Sequence, residues 1–136
     1  MKSKIMITFP AEHTGTPLTY RLIKDYDLII NILKADIGYN NIGHILYEIE
    51  GEAAMISKTI ADINQSGMHC EILDAIIEVD KNQCTDCGLC TAVCFTGALS
   101  IASPDWELAY NPQKCTGCDL CVPVCPSMAI SKAFSL

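Results

Sequence analysis

The chain has 136 residues and a formal net charge of −7; half of its residues are hydrophobic and 18% are charged. This composition excludes a disordered chain, and the acidic balance excludes the basic stripe that nucleic-acid phosphates need. Nine cysteines in so short a chain call for a chemical explanation, either a disulfide framework or bound metal.

Lys4 to Phe9 sets Ile5, Ile7 and Phe9 on one side and predicts a strand. Thr16-Pro17 follows as an N-cap with proline at the first helical position, and Leu18, Leu22 and Tyr26 recur at helical spacing. Leu28 to Ile37 is β-branched and apolar, a second strand. Gly38, Asn40, Asn41 and Gly43 then make a turn. Ile45, Tyr47 and Ile49 mark a third strand that stops at Gly51. Ala53 to Ser66 is a second helix with Ile56, Ile60 and Ile63 on one face and Gly67 as its C-terminal stop. Cys70 to Val79 is a fourth strand. The resulting order, βαββαβ, is that of an α+β ferredoxin-like sandwich with two helices on one face of a four-stranded sheet. The second strand is apolar on both sides, and Met6, Leu46, Ile72 and Ile76 add apolar positions to the face away from the helices. An open face is normally polar, so either this face is covered, by a second copy, a partner or the other half of the chain, or a bulge shifts the faces from this assignment.

Neither apolar stretch of the first half predicts a leader or a membrane span. Ile5 to Phe9 is too short for the core of a signal peptide, and Leu28 to Leu33 is broken by Asn31. The expected location is therefore a reducing, cytoplasmic one, where clustered cysteines bind metal more often than they pair.

Eight cysteines lie beyond residue 83, so the expected division is a first domain over 1–79 and a second over 80–136, joined without a flexible linker. Residues 1–79 hold six Lys and Arg against 11 Asp and Glu, and residues 80–136 hold three against five, so both halves are acidic. Such a surface suits a basic docking patch on a protein partner. The runs CTDCGLCTAVCF from Cys84 and CTGCDLCVPVCP from Cys115 both read C-x2-C-x2-C-x3-C, and they repeat at an offset of 31 residues. Thr85 matches Thr116, Leu89 matches Leu120, Val93 matches Val124, Ala98 matches Ala129 and Ser100 matches Ser131. The repeat implies two similar half-domains about a pseudo-twofold axis.

In this spacing three cysteines wrap one cubane, and the fourth points away to the neighbouring cluster. Two [4Fe–4S] clusters are expected, one held by Cys84, Cys87, Cys90 and Cys125, the other by Cys115, Cys118, Cys121 and Cys94. Structural zinc, the alternative, takes two cysteine pairs separated by a longer loop. Phe95 stands where the pattern has proline, as Pro126 does in the second run. That exchange touches packing near a cluster and leaves the ligand set intact. A segment of this size buries little core, so the clusters are expected to be needed for folding.

The second strand contains Asn31-Ile32-Leu33 within DLIINILKADIGY, followed by Gly43 and a strand ending at Glu50-Gly51. Residues 1–79 resemble a NIL domain, a module also found at the end of methionine-importer ATPases, where it is regulatory and binds methionine. A NIL domain followed at once by a two-cluster ferredoxin resembles the iron–sulfur subunit of L-aspartate semialdehyde sulfurtransferase, a family of methanogens and other anaerobes. The resemblance implies electron transfer in homocysteine formation, with a larger catalytic subunit as partner. A different reading is a general ferredoxin whose NIL half binds a methionine-like metabolite, or serves dimerisation and docking. The sequence holds no Ser/His/Asp array, phosphate loop or paired acids of an active site.

Cys70, the ninth cysteine, invites a role as a reactive, persulfide-carrying thiol. Its neighbours, His69 and Glu71, favour an ordinary half-buried strand cysteine instead. His13, His44 and His69 lack partners at ligand spacing and are expected at the surface, and Trp106 is expected to pack in the hairpin between the two runs.

Overall fold

Alternation along β1 (Lys2–Phe9) sends Ile5, Ile7 and Phe9 to one side. They meet Leu22 of α1 (Leu18–Tyr26) and Ile56 and Ile63 of α2 (Ala53–Gln65) in one core. β2 (Ile29–Asp36), β3 (Gly43–Glu50) and β4 (His69–Leu73) complete a sheet of order β2-β3-β1-β4 in which all neighbours are antiparallel. Ile45, Tyr47 and Ile49 of β3 and Cys70 of β4 join the same core. The computed structural model describes residues 2–13, 15–38 and 42–133 and divides into two compact units, 1–74 and 75–136. The turn residues Asn40 and Asn41 lie outside the described residues.

Several local expectations need correction. Thr16 does not cap α1: the residue at the cap is Pro17, and no side chain accepts from the first-turn amides. Gly67, by contrast, follows α2 at φ +95°, a left-handed stop that glycine takes without a Cβ penalty. The strand expected over Cys70–Val79 is two strands. β4 ends at Leu73, and β5 (Ile77–Val79) pairs instead with β8 (Ile130–Lys132), so hydrogen bonding assigns it to the second unit. The units accordingly divide between residues 74 and 75, ahead of the expected division after Val79.

The NIL-containing strand β2 is an edge strand, with a bulge between Ile32 and Lys34. At the edge, Ile29 is 69% exposed and Ile32 51% exposed, so the apolar run of β2 does not report burial. On the face away from the helices the buried apolar residues are Met6 and Leu46, paired across the two central strands. Ile72 pairs with Ile5 and so belongs to the helix-side face, and Ile76 lies beyond the sheet in the second unit.

In the second unit, β5 pairs with β8 while β6 (Leu99–Ile101) pairs with β7 (Leu108–Tyr110). The short helices α3 (Leu89–Val93) and α4 (Cys121–Val124) each carry the third cysteine of a run, Cys90 and Cys121. The sequence repeat is also a structural one: Asp80 N–H donates to the Ala129 carbonyl and Asn111 N–H to the Ala98 carbonyl, both at 2.8 Å. Trp106 does lie between β6 and β7, but it is 62% exposed and does not pack there. Its left-handed φ of 55° turns the hairpin and leaves the ring outside.

Gly43 faces Phe9 across β1 and β3, and a Cβ there would stand 2.4 Å from the Phe9 ring. Gly43→Ala is expected to cost about 1–3 kcal/mol through overpacking, measured as faster amide hydrogen exchange along β1 and β3.

Candidate metal centre

Two short loops carry the chemistry. Each follows a strand, β5 or β7, and each needs left-handed backbone to wrap tightly. In the first loop these positions are Asp86 and Gly88; in the second they are Gly117 and Asp119. The turn after the fourth cysteine repeats the device, with Gly97 at φ 70° and Met128 at φ 56°. Glycine and a side-chain-bearing residue thus alternate between the repeats at matching positions, which shows that the loop geometry is enforced from outside the local preference.

Cys84, Cys87, Cys90 and Cys125 line one small cavity, together with Asp86, Leu108 and Ile130. Cys115, Cys118, Cys121 and Cys94 line another, with Phe95, Leu99 and Tyr110. The fold therefore brings three thiols from each run beside the last thiol of the other. Among the described residues no three His, Cys, Asp or Glu side chains converge on a point fit for a single ion; the thiols surround a space. All nine cysteines are free of disulfides.

The thiols differ in environment. Burial raises Cys90, and the neighbouring Cys84, Cys87 and Cys125 raise it further against the pull of its own N–H. Burial pushes Cys121 up to about 11, opposed by its own N–H and reinforced by Cys115, Cys118 and Cys94. A buried thiol that resists ionisation among three others belongs to a donor set suited to a multiply charged metal group, which removes its proton. The last cysteine of each run is different. Burial would raise Cys94, but N–H groups of Leu99, Ala98 and Thr96 and the Thr96 hydroxyl outweigh it and bring the thiol below its ordinary value. The Ser127 hydroxyl and then the Ala129 N–H lower Cys125 in the same way. The two N–H···Sγ distances are 3.5 Å from Leu99 and 3.3 Å from Ala129. Such bonds stabilise thiolate and are the outer-shell support that a thiolate-bound metal centre uses. Thr96 and Ser127 escaped the reading of the sequence, although both sit two residues after a fourth cysteine at the repeat offset.

Phe95 is 75% exposed at the rim of the second cavity. Tyr110, missed in the sequence, hangs from β7 into that cavity and accepts the Ile76 N–H at 3.4 Å. Burial, then a hydrogen bond to Cys115, pushes its phenol up to about 12, so it remains a donor. His69 is exposed, whereas His13 and His44 are half-buried; His44 Nδ1 lies 3.2 Å from Thr8 Oγ1 across the β1–β3 ladder.

Fold and thiol groups together define an iron–sulfur electron-transfer protein with an additional α/β module. Residues 4–72 match the family model of the NIL domain, and residues 76–126 match that of the 4Fe-4S dicluster domain. The L-aspartate semialdehyde sulfurtransferase iron-sulfur subunit of Methanosarcina acetivorans is 30% identical over 95 residues, covering 69% of this chain and 70% of that one. The chain belongs to this family of sulfurtransferase iron–sulfur subunits. Among solved structures, the C-terminal domain of an ABC transporter ATP-binding protein from Enterococcus faecalis superposes with a TM-score of 0.47 at 16% identity, over 53% of this chain and 83% of that one. No helix among the described residues is long and apolar enough to cross a membrane.

Cys70 stands apart from both groups, buried on β4, where Asn64 clamps its backbone: the Cys70 N–H donates to Asn64 Oδ1 at 2.8 Å, and Asn64 Nδ2 donates to the Cys70 carbonyl at 3.2 Å. Burial, and secondarily Glu71, push its thiol up to about 12. A thiol that loses its proton only near that pH is a poor nucleophile. Folded protein at pH 8 is expected to resist iodoacetamide at Cys70, with alkylation appearing on unfolding; rapid modification of the folded chain, mapped by mass spectrometry, overturns this.

Proposed function

We propose that this chain is the reducing subunit of a sulfurtransferase that makes homocysteine from aspartate semialdehyde and sulfide. The observation that carries the reading is the pair of four-thiol cavities in a chain related to the iron–sulfur subunit of that enzyme. In this reading Cys84, Cys87, Cys90 and Cys125 hold one [4Fe–4S] cluster, and Cys115, Cys118, Cys121 and Cys94 hold the second. Each cluster, when bound, exchanges one electron at a time. Forming a thiol from an aldehyde and hydrogen sulfide consumes two electrons and two protons and releases water, so two one-electron centres match the demand. The exposed members of the two sets, Cys87 and Cys118, mark the edges nearest a partner, and the larger catalytic subunit supplies the substrate site. The compartment we assign is the cytoplasm, in keeping with thiols free of disulfides.

We assign residues 1–74 to the NIL module and residues 75–136 to the ferredoxin module, to which Ile77–Val79 contributes a strand. The element order and the sheet order β2-β3-β1-β4 support a ferredoxin-like sandwich for the first. One feature favours a second reading, in which the NIL module binds a methionine-like metabolite or joins two copies. A cavity of about 330 Å³ opens beside the start of α1, walled by Phe9, Leu18, Ile45 and Met68. The Thr19 and Tyr47 hydroxyls, 2.7 Å apart, supply its polar corner.

Anaerobically purified protein is expected to contain iron and acid-labile sulfide in equal amounts, and chelation is expected to melt residues 75–136 while β1–β4 keep slow amide exchange. Zinc in place of iron sinks the cluster assignment. The reduced protein, added to the larger subunit with aspartate semialdehyde and sulfide, is expected to yield homocysteine. Methionine binding by calorimetry, with no stimulation of sulfur incorporation, decides for the second reading.

A further inference from the structure

The repeat invites a comparison of the two thiol groups position by position, and they are not equivalent. At the offset of 31 residues, Tyr110 at the end of β7 corresponds to Val79 at the end of β5. Their ladder partners correspond too: Tyr110 faces Leu99, and Val79 faces Ile130. Both strands thus deliver their last residue to the same relative place, but only one delivers a hydroxyl. The Tyr110 oxygen accepts the Ile76 N–H at 3.4 Å, and the side chain lines the cavity that also contains Cys115. The matching valine has no proton to give.

The acids differ as well. Asp86 lines the first cavity with its Oδ1 3.7 Å from Cys84 Sγ, held there by the Leu108 N–H at 2.8 Å. At the matching position the second loop has Gly117. Asp119 also lines the second cavity, but Lys132 Nζ lies 3.2 Å from its Oδ2 and offsets the charge. A hydrogen bond donated to a ligand sulfur stabilises the reduced centre, whereas a nearby carboxylate stabilises the oxidised one. Both differences act in the same direction.

We infer that the two centres are unequal by construction, and that the Tyr110 hydroxyl, which shares the cavity with Cys115, donates to that sulfur in the loaded protein and makes the centre of Cys115, Cys118, Cys121 and Cys94 the more readily reduced. Asp86 beside Cys84 makes the centre of Cys84, Cys87, Cys90 and Cys125 the less readily reduced. This rests on the reading of both cavities as cluster sites. The first electron to enter the protein therefore resides at the Cys115 centre, and the second requires a stronger donor. Tyr110 and Asp86 are positioning residues that act through the ligand sulfurs.

The test is a redox titration of the full holo-protein followed by electron paramagnetic resonance, with iron and sulfide assayed on every sample. Two reduction waves are expected. Tyr110→Phe keeps the ring and its packing and is expected to lower only the wave at higher potential; Asp86→Asn keeps an acceptor for the Leu108 N–H and is expected to raise only the wave at lower potential. Fully loaded variants in which neither wave moves, or in which Tyr110→Phe moves the lower wave, overturn the inference. Absence of iron and sulfide from the unmodified protein is a different failure, since it removes the cluster reading and this inference with it.

Discussion

Thiols occupy the interior of the second unit. Its buried cluster of Ile77, Leu99, Leu108 and Ile130 also contains Cys90 and Cys121, and more cysteines pack around the edge. A core this small contributes little hydrophobic stabilisation against the chain entropy of some sixty ordered residues. Burial and like neighbours penalise ionisation of those inner thiols, so a bound cationic metal group changes the sign of the electrostatics at the centre of the unit. The fourth cysteine of each repeat lines the cavity of the other, so both repeats contribute to each group of thiols.

Symmetry of backbone coexists with asymmetry of side chains. The same ladder and the same left-handed turns occur twice, and in each repeat a backbone N–H donates to the fourth cysteine sulfur. Positions outside these shared features are free to diverge. Tyr110 against Val79 and Phe95 against Pro126 lie there, where a change alters the surroundings of a thiol without disturbing its place. Left-handed positions show the tolerance most directly: Met128 takes the conformation that Gly97 takes in the other copy, at a local cost of about 1–2 kcal/mol that the surrounding contacts offset.

The first unit follows different physics. Its core is a continuous apolar layer between two helices and the inner face of one sheet, with no chemical group at its centre. Hydrophobic burial and the sheet ladders stabilise it, and its thiol, Cys70, behaves as one more apolar side chain. The edge strand β2 and the cavity beside α1 face the outside, and both belong to the NIL module.

Whatever depended on short stretches of chain could be read from the residues. Alternation in β1 and β3, the helical spacing of Ile56, Ile60 and Ile63, the stop at Gly67 and the two cysteine runs are all local, and local spacing dictates which side chains share a face or a loop. Other features waited on the tertiary structure because they depend on distant partners. Ile77–Val79 looked continuous with Cys70 until β8 claimed it; β2 looked buried until its place at the sheet edge was known; Trp106 looked like a core residue in a hairpin too short to cover it. The hydroxyl of Tyr110 is the clearest case. Nothing within its own strand distinguishes it, and its meaning depends on Ile76, far back in the chain, which only folding brings to it. Periodicity encodes the direction in which a side chain points, but the identity of what it meets is a property of the assembled fold.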